Sequence, residues 1–566
     1  MEDRIKKSVL RLKFVLIALL VFVSCKQETT EKAKSKEEIV LWEPYNDSVE
    51  VAANAEHEVE RMRYKLIQSK VWNKNDAFLP MYEEVSKMDS ATYADLRPLI
   101  LEQSIPTIQE HISKGKLSYE QLVLFYLHRI YKYELDNGTT LNTVIAINPK
   151  VLDEAKALDD NSEGHHPIYG MPILLKDNIG TDVMKTTAGA IALKDNLADD
   201  AFVVDRLKEK GALILGKVNL SEWAYFLCDG CPVGYSALWG QTLNPYGRKV
   251  FESGGSSSGS GTSVAANYAV AAVGTETSGS ILSPSSQNSV VGLKPTIGLL
   301  SRTGIVPISS TLDTPGPMTK NVVDNAILLD AMMGYDKVDD ASVLTGWEKN
   351  WYQTEETSTL KGKRFGVFKN LMGRDSIYKA TIDKMKGAGA TIVEFEPPQV
   401  EMDGFLSILN IDMKNDLPKY IQNHVKDAQL VSVKDVADVV AFNNLDSLVR
   451  VPYGQARLDG ILADSTSTEG LAEIKKRLQA NGRKYFNEAM EAHDLDAILS
   501  INNYHAGFAA VAKYPALTIP MGYKPSGEPI SLTFIAKQFQ EAKLYDFGRA
   551  YESVFKVRKT PSGYTE

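Results

Sequence analysis

Apolar residues recur along this chain in two rhythms. Val123, Tyr126, Leu127 and Ile130 fall on one helical face, and Ser118 with Gln121 has the capping-box spacing just ahead of them. An amphipathic helix is expected there. Shorter apolar runs at 142–147, 172–175 and 212–217 read as strands, and a helix is expected to start at Phe202. Further on, Arg364 to Phe368 and Thr391 to Phe395 read as two strands joined by a helix, and a largely helical stretch follows to about 480. Strands alternating with helices predict an α/β protein, its central sheet covered by helices on both faces.

The first segment has a different pattern. Arg4, Lys6, Lys7, Arg11 and Lys13 precede an apolar run from Phe14 to Val23, too short to span a bilayer comfortably and of the length of an export-signal core. Phe22-Val23-Ser24-Cys25 then resembles a bacterial lipoprotein cleavage box, with Phe22 where leucine is usual. The expected organisation is a signal peptide at 1–24, a lipidated Cys25 opening a polar tether at 25–60, and one domain at 61–566. Within that domain, 350–480 is expected to form a helical cap or insert. The protein is therefore expected to be exported and held at the cell envelope by its lipid.

Composition narrows the field further. Hydrophobic residues make up 44% and charged residues 24%, as in ordinary globular chains. A net charge of −9 with no long basic stripe argues against a nucleic-acid partner. No solenoid-type repeat is visible. Cys228 and Cys231 form a CxxC pair without a second Cys pair to complete a zinc site, so a local disulfide or two free thiols are the open readings.

The chemistry concentrates in three segments. Lys176 follows Ile173, Leu174 and Leu175, so its backbone enters a buried strand, where a lysine must be paired or lose its proton. Gly254-Gly255-Ser256-Ser257-Ser258-Gly259 and Gly274-Thr275-Glu276-Thr277-Ser278-Gly279-Ser280 are Ser/Gly-rich turns. Such composition alone suits a flexible linker. Here the first turn runs directly into the apolar segment 264–273, as a linker would not. Together the segments offer a nucleophilic hydroxyl, a relay hydroxyl, a base and free backbone N–H groups for an oxyanion. A competing motif overlaps them: Gly255 to Gly259 also fits the G-x-S-x-G elbow centred on Ser257, with His505 the best placed of 8 histidines. That reading leaves Lys176 and the second turn without a role.

The three segments, in this order, strongly resemble the amidase signature family, and within it a peptide-amidase-like branch. The resemblance continues through Val291 to Thr296, Asp313 to Met318 and Tyr514 to Pro520. It implies one α/β domain around a mixed sheet, with no metal or organic cofactor. It further implies Ser280 as nucleophile, Ser256 after a cis peptide bond as proton relay, Lys176 as base, and the N–H groups of Thr277, Ser278, Gly279 and Ser280 as the oxyanion hole. Leu282 stands where the family often has arginine, which argues against a small dicarboxylate-type substrate. The expected activity is hydrolysis of a carboxamide, aryl-amide or peptide-amide C–N bond. An esterase on the same triad and a non-catalytic surface anion-binding protein are the alternatives. The amidotransferase-subunit role found in the family fits an exported chain poorly, since it needs tRNA and ATP. Lys217 and Lys294 read as structural or surface lysines.

Overall fold

The computed structural model of the chain describes residues 39–161, 166–344, 351–352 and 358–566. The signal segment and Cys25 lie outside the described residues.

An 11-stranded sheet organises the domain. Its first half contains β1 (Val144–Ile147), β2 (Pro172–Lys176) and β3 (Leu213–Val218). A small ribbon of β4 (Tyr235–Ser236) and β5 (Gly240–Gln241) stands apart from it. The sheet continues with β6 (Ala271–Glu276), β7 (Val291–Lys294), β8 (Thr314–Thr319), β9 (Arg364–Phe368) and β10 (Thr391–Phe395). It is completed by β11 (Ala497–Ile501), β12 (Ala516–Tyr523) and β13 (Pro529–Ile535). The spatial order is β1-β3-β2-β6-β8-β7-β12-β13-β11-β9-β10. β2 runs parallel to both β3 and β6, whereas β6, β8, β7, β12 and β13 pair antiparallel in turn. The sheet is therefore mixed, as expected.

Burial explains the apolar runs. Every residue of β2, β3 and β6 is buried, so these strands read as continuous rather than alternating hydrophobic segments. The edge strand β10 instead leaves Thr391 and Glu394 exposed and buries Phe395. The capping box forms as its spacing predicts: Ser118 accepts from the Gln121 N–H and the Gln121 side chain accepts from the Ser118 N–H, opening the helix Tyr119–Glu134.

Two boundaries differ from expectation. The domain begins near Trp42 rather than at 61, because the polar residues there are structural acceptors and donors. Trp42 is buried, Asp47 accepts the N–H groups of Ile67 and Gln68, and Asn54 donates to the Lys249 carbonyl. Any tether is therefore shorter than 25–60. The stretch 350–480 is also not one insert, since β9 and β10 join the central sheet. Only the helices after them, Phe405–His424 to Thr468–Ala492, form an added layer. Ile408, Leu417, Val439, Leu458 and Leu478 pack there against Leu193, Trp223 and Leu312 in one apolar cluster.

Candidate active site

β2 carries Lys176 to its last position, fully buried, between two parallel neighbours. Its Nζ lies 2.7 Å from Ser256 Oγ, 2.8 Å from Thr275 Oγ1 and 3.2 Å from the Thr275 carbonyl oxygen. Asn178, two residues on, donates to the same Thr275 hydroxyl at 3.0 Å. Burial pushes the Lys176 amine down to about 7, while the Asp313 and Glu276 carboxylates pull it back up.

Ser256 follows a cis peptide bond from Gly255 and is itself fully buried. The next residues open the helix Ser258–Ala265. Two contacts tie this turn to the other Ser/Gly segment: the Ser257 N–H donates to the Ser280 carbonyl at 3.1 Å, and Ser257 Oγ accepts from the Thr275 N–H at 3.1 Å. Ser257 Oγ also lies 3.0 Å from the Thr275 carbonyl oxygen, to which it donates. Ser257 is thus spent on holding the two turns together. His505 bonds Ser500 Oγ at 2.5 Å and stacks on Phe368, so the two parts of an elbow-type hydrolase are each engaged elsewhere.

β6 ends at Glu276, whose carboxylate shapes the turn that follows. It accepts the N–H groups of Gly279 at 2.6 Å, Ile281 at 2.8 Å and Leu282 at 3.0 Å. This corrects one of the four expected oxyanion donors: the Gly279 N–H is already committed to Glu276. The N–H groups of Thr277, Ser278 and Ser280 have no hydrogen-bond partner among the described residues, and neither has Ser280 Oγ. Ser280 is only partly buried, unlike Ser256 and Lys176. The arrangement therefore offers an approachable hydroxyl, unoccupied donors beside it, and a buried hydroxyl–amine pair behind it.

Asp313 closes the site on the other side. It takes the Thr277 hydroxyl at 2.5 Å and the Ile308 and Ser309 N–H groups at 2.8 Å each, and burial pushes its carboxyl up to about 6. Together with Asn178, Thr275, Thr277 and Arg302 it lines a small cavity. A larger cleft of about 490 Å³ shares Asp313 and Arg302 with that cavity and is walled by the helix Phe405–His424. Neither space is lined by Lys176, Ser256 or Ser280 themselves. The hydrogen bonds, not the size of a cavity, identify the centre.

Lys217 and Lys294 are fully buried rather than on the surface. Lys217 Nζ binds the Ile179 carbonyl and Thr186 Oγ1 and faces Asp177 at 3.8 Å, while Lys294 Nζ binds the Pro295 carbonyl at 2.9 Å. Cys228 and Cys231 are joined by a disulfide. No motif in the sequence assigns a role to Glu276, Asp313, Thr275 or Asn178. Their signal was adjacency, since Thr275 and Glu276 lie in the Ser280 segment and Asn178 follows Lys176 by two residues.

A family model described as Amidase matches residues 121–503. A probable amidase of Arabidopsis thaliana is 36% identical over 485 residues, covering 82% of this chain and 92% of its own. Among solved structures, an amidase family protein from Bacillus anthracis superposes with a TM-score of 0.83 at 37% identity, over 88% of this chain and 100% of its own. The peptide amidase from Stenotrophomonas maltophilia gives 0.76 at 34% identity, over 81% and 98%. With its fold, its sequence and the order of its site segments in agreement, the chain belongs to the amidase family and is a hydrolase of amide C–N bonds.

Proposed function

We propose that Ser280 is the nucleophile of this hydrolase, Ser256 its proton relay and Lys176 its base. The observation that carries the reading is the buried 2.7 Å contact between Lys176 Nζ and Ser256 Oγ, directly behind the turn that presents Ser280. A neutral Lys176 satisfies its three contacts by donating two protons to the Thr275 oxygens and accepting the Ser256 hydroxyl with its lone pair. The protonated amine satisfies the same three contacts as donor. A proton can therefore arrive at Lys176 without displacing a heavy atom.

In the forward step Ser280 Oγ attacks the amide carbonyl carbon. Its proton passes to Ser256 as the Ser256 proton passes to Lys176. The oxyanion is held by the unoccupied N–H groups of Thr277, Ser278 and Ser280, each such donor contributing about 3 kcal/mol in the transition state. Collapse expels the amine, which takes the proton back along the same path. Water then attacks the acyl-enzyme by the same relay, releasing the acid and restoring Ser280.

The substrate class is a linear carboxamide, with a C-terminally amidated peptide the first choice because the peptide amidase from Stenotrophomonas maltophilia is among the similar structures. We further propose that the protein is exported and lipid-anchored through Cys25, a reading supported by the sequence of the first residues. The test is release of the amine from amidated peptides, fatty amides and aryl amides by the enzyme purified without residues 1–25, alongside the Ser280→Ala variant. Turnover of at least one class, falling below a few per cent in the variant, is expected. Substantial turnover by Ser280→Ala contradicts the assignment.

A further inference from the structure

Beyond the reacting centre, Lys513 lines two spaces next to the turn that carries Ser280. The helix Ala506–Ala512 begins against the nucleophile turn. A methyl group on Gly279 would meet Asn503 at 3.0 Å and Ala506 at 3.4 Å, and one on Gly507 would lie 3.7 Å from Ser278 Oγ. The helix ends at Lys513, in the left-handed conformation with φ 61°. Its 7 residues at about 1.5 Å each set Lys513 about 10 Å along the helix from Ala506, the end that meets the turn.

Lys513 faces two adjoining spaces. In the 490 Å³ cleft it shares the lining with Asp313, which holds the Thr277 hydroxyl beside the oxyanion donors. The other charges of that cleft are largely spent: Arg302 on Asp339 and Lys419 on Asp416. Asp340 is exposed at the rim, and Asp313 is occupied by Thr277 and two backbone N–H groups. The second space, about 390 Å³, is lined by Lys475, Lys476, Lys513, Ser310 and Thr311 among others, with no carboxylate in its wall. Lys475 is paired with Asp412 at 2.6 Å. The ammonium groups of Lys476 and Lys513 have no partner among the described residues, and Lys513 is partly buried. A half-desolvated, unpaired cation above hydroxyl groups is a setting for an anionic ligand.

Resting on the reading of Ser280 as nucleophile, we propose that this pocket is an anion subsite, in which Lys513 with Lys476 binds a carboxylate on the acyl side of the amide, about 10 Å from the scissile carbonyl. An extended peptide covers that distance in about three residues.

The test compares two peptide amides differing only in glutamate or glutamine at the third residue before the terminal carboxamide. A charge-assisted contact is expected to favour the glutamate peptide about tenfold or more in kcat/KM, chiefly through KM, with the preference shrinking as salt screens it. In Lys513→Gln the ratio falls towards one, and Lys513→Arg restores it. Wild-type enzyme that hydrolyses both peptides equally overturns the subsite alone, as does a Lys513→Gln ratio equal to that of wild type. Hydrolysis of neither peptide or of any other linear amide overturns the Ser280 reading, and this one with it.

Discussion

Lys176 illustrates how one residue's chemistry is set by where its backbone goes. A lysine at the end of a fully buried strand loses its hydration, and burial brings its amine down to about 7. In the proposed mechanism the amine, protonated below that pH, cannot accept the proton from Ser256, and above it serves as base. Amide hydrolysis is therefore predicted to rise with pH through about 7. Asp313, pushed up to about 6, adds a second titration on the acid side by withdrawing its charge from Lys176 as it protonates. In Lys176→Ala, single-turnover acylation is expected to fall by about 10² to 10⁴, and the residual rate to lose the step near 7. Lys217 and Lys294 are also buried amines pushed down, each to about 8, so the limb by itself does not name the base. A Lys217→Ala variant that loses the limb while Lys176→Ala keeps it would contradict the assignment. The lysine was legible in sequence because three aliphatic residues precede it. Its partner Thr275 was not, because a threonine in a Gly-rich run carries no mark of which hydroxyl faces the amine.

At the level of elements, the turn after β6 is held by its own last strand residue. Glu276 gathers three N–H groups and thereby fixes the path of the backbone on both sides of Ser280. Glu276→Gln replaces one acceptor oxygen with an amide that cannot accept, and removes the negative charge facing Lys294. A loss of about 1–3 kcal/mol in unfolding free energy is expected for an unpaired buried donor, with kcat falling more than KM rises. Denaturant unfolding and steady-state kinetics on the same variant check this, and unchanged stability with unchanged kcat would contradict it. The strands of the parallel half were readable because burial on both faces makes them continuous apolar runs. The proposed oxyanion donors were only partly readable. Which N–H groups remain free depends on the reach of the Glu276 carboxylate, a tertiary fact that no spacing rule encodes.

Over the whole molecule, the sequence pattern gave the α/β class and the mixed sheet but misplaced two edges. Polar residues such as Asp47 and Asn54 look like tether in composition, yet they serve as hydrogen-bonding anchors for the first packed segment. The bounds 350–480 likewise enclose β9 and β10, legible as strands but not as members of the central sheet, since that depends on pairing with β11, more than one hundred residues later. Among the described residues no helix is long and apolar enough to cross a membrane. The proposed anchorage rests on the sequence around Cys25, which lies outside those residues, and Cys25→Ser is expected to move the protein from the detergent phase to the aqueous phase on phase separation. Equal partitioning of variant and wild type would contradict a lipid anchor.

In the proposed mechanism Ser280 carries the acyl group while Ser256 and Lys176 move its proton. The most direct measurement is mass spectrometry of the enzyme after reaction with a fluorophosphonate, followed by digestion to locate the adduct. One adduct per chain is expected, on Ser280, forming faster as pH rises through about 7 and absent from Ser280→Ala. An adduct on Ser257 or Ser256, or unchanged labelling of Ser280→Ala, would contradict it.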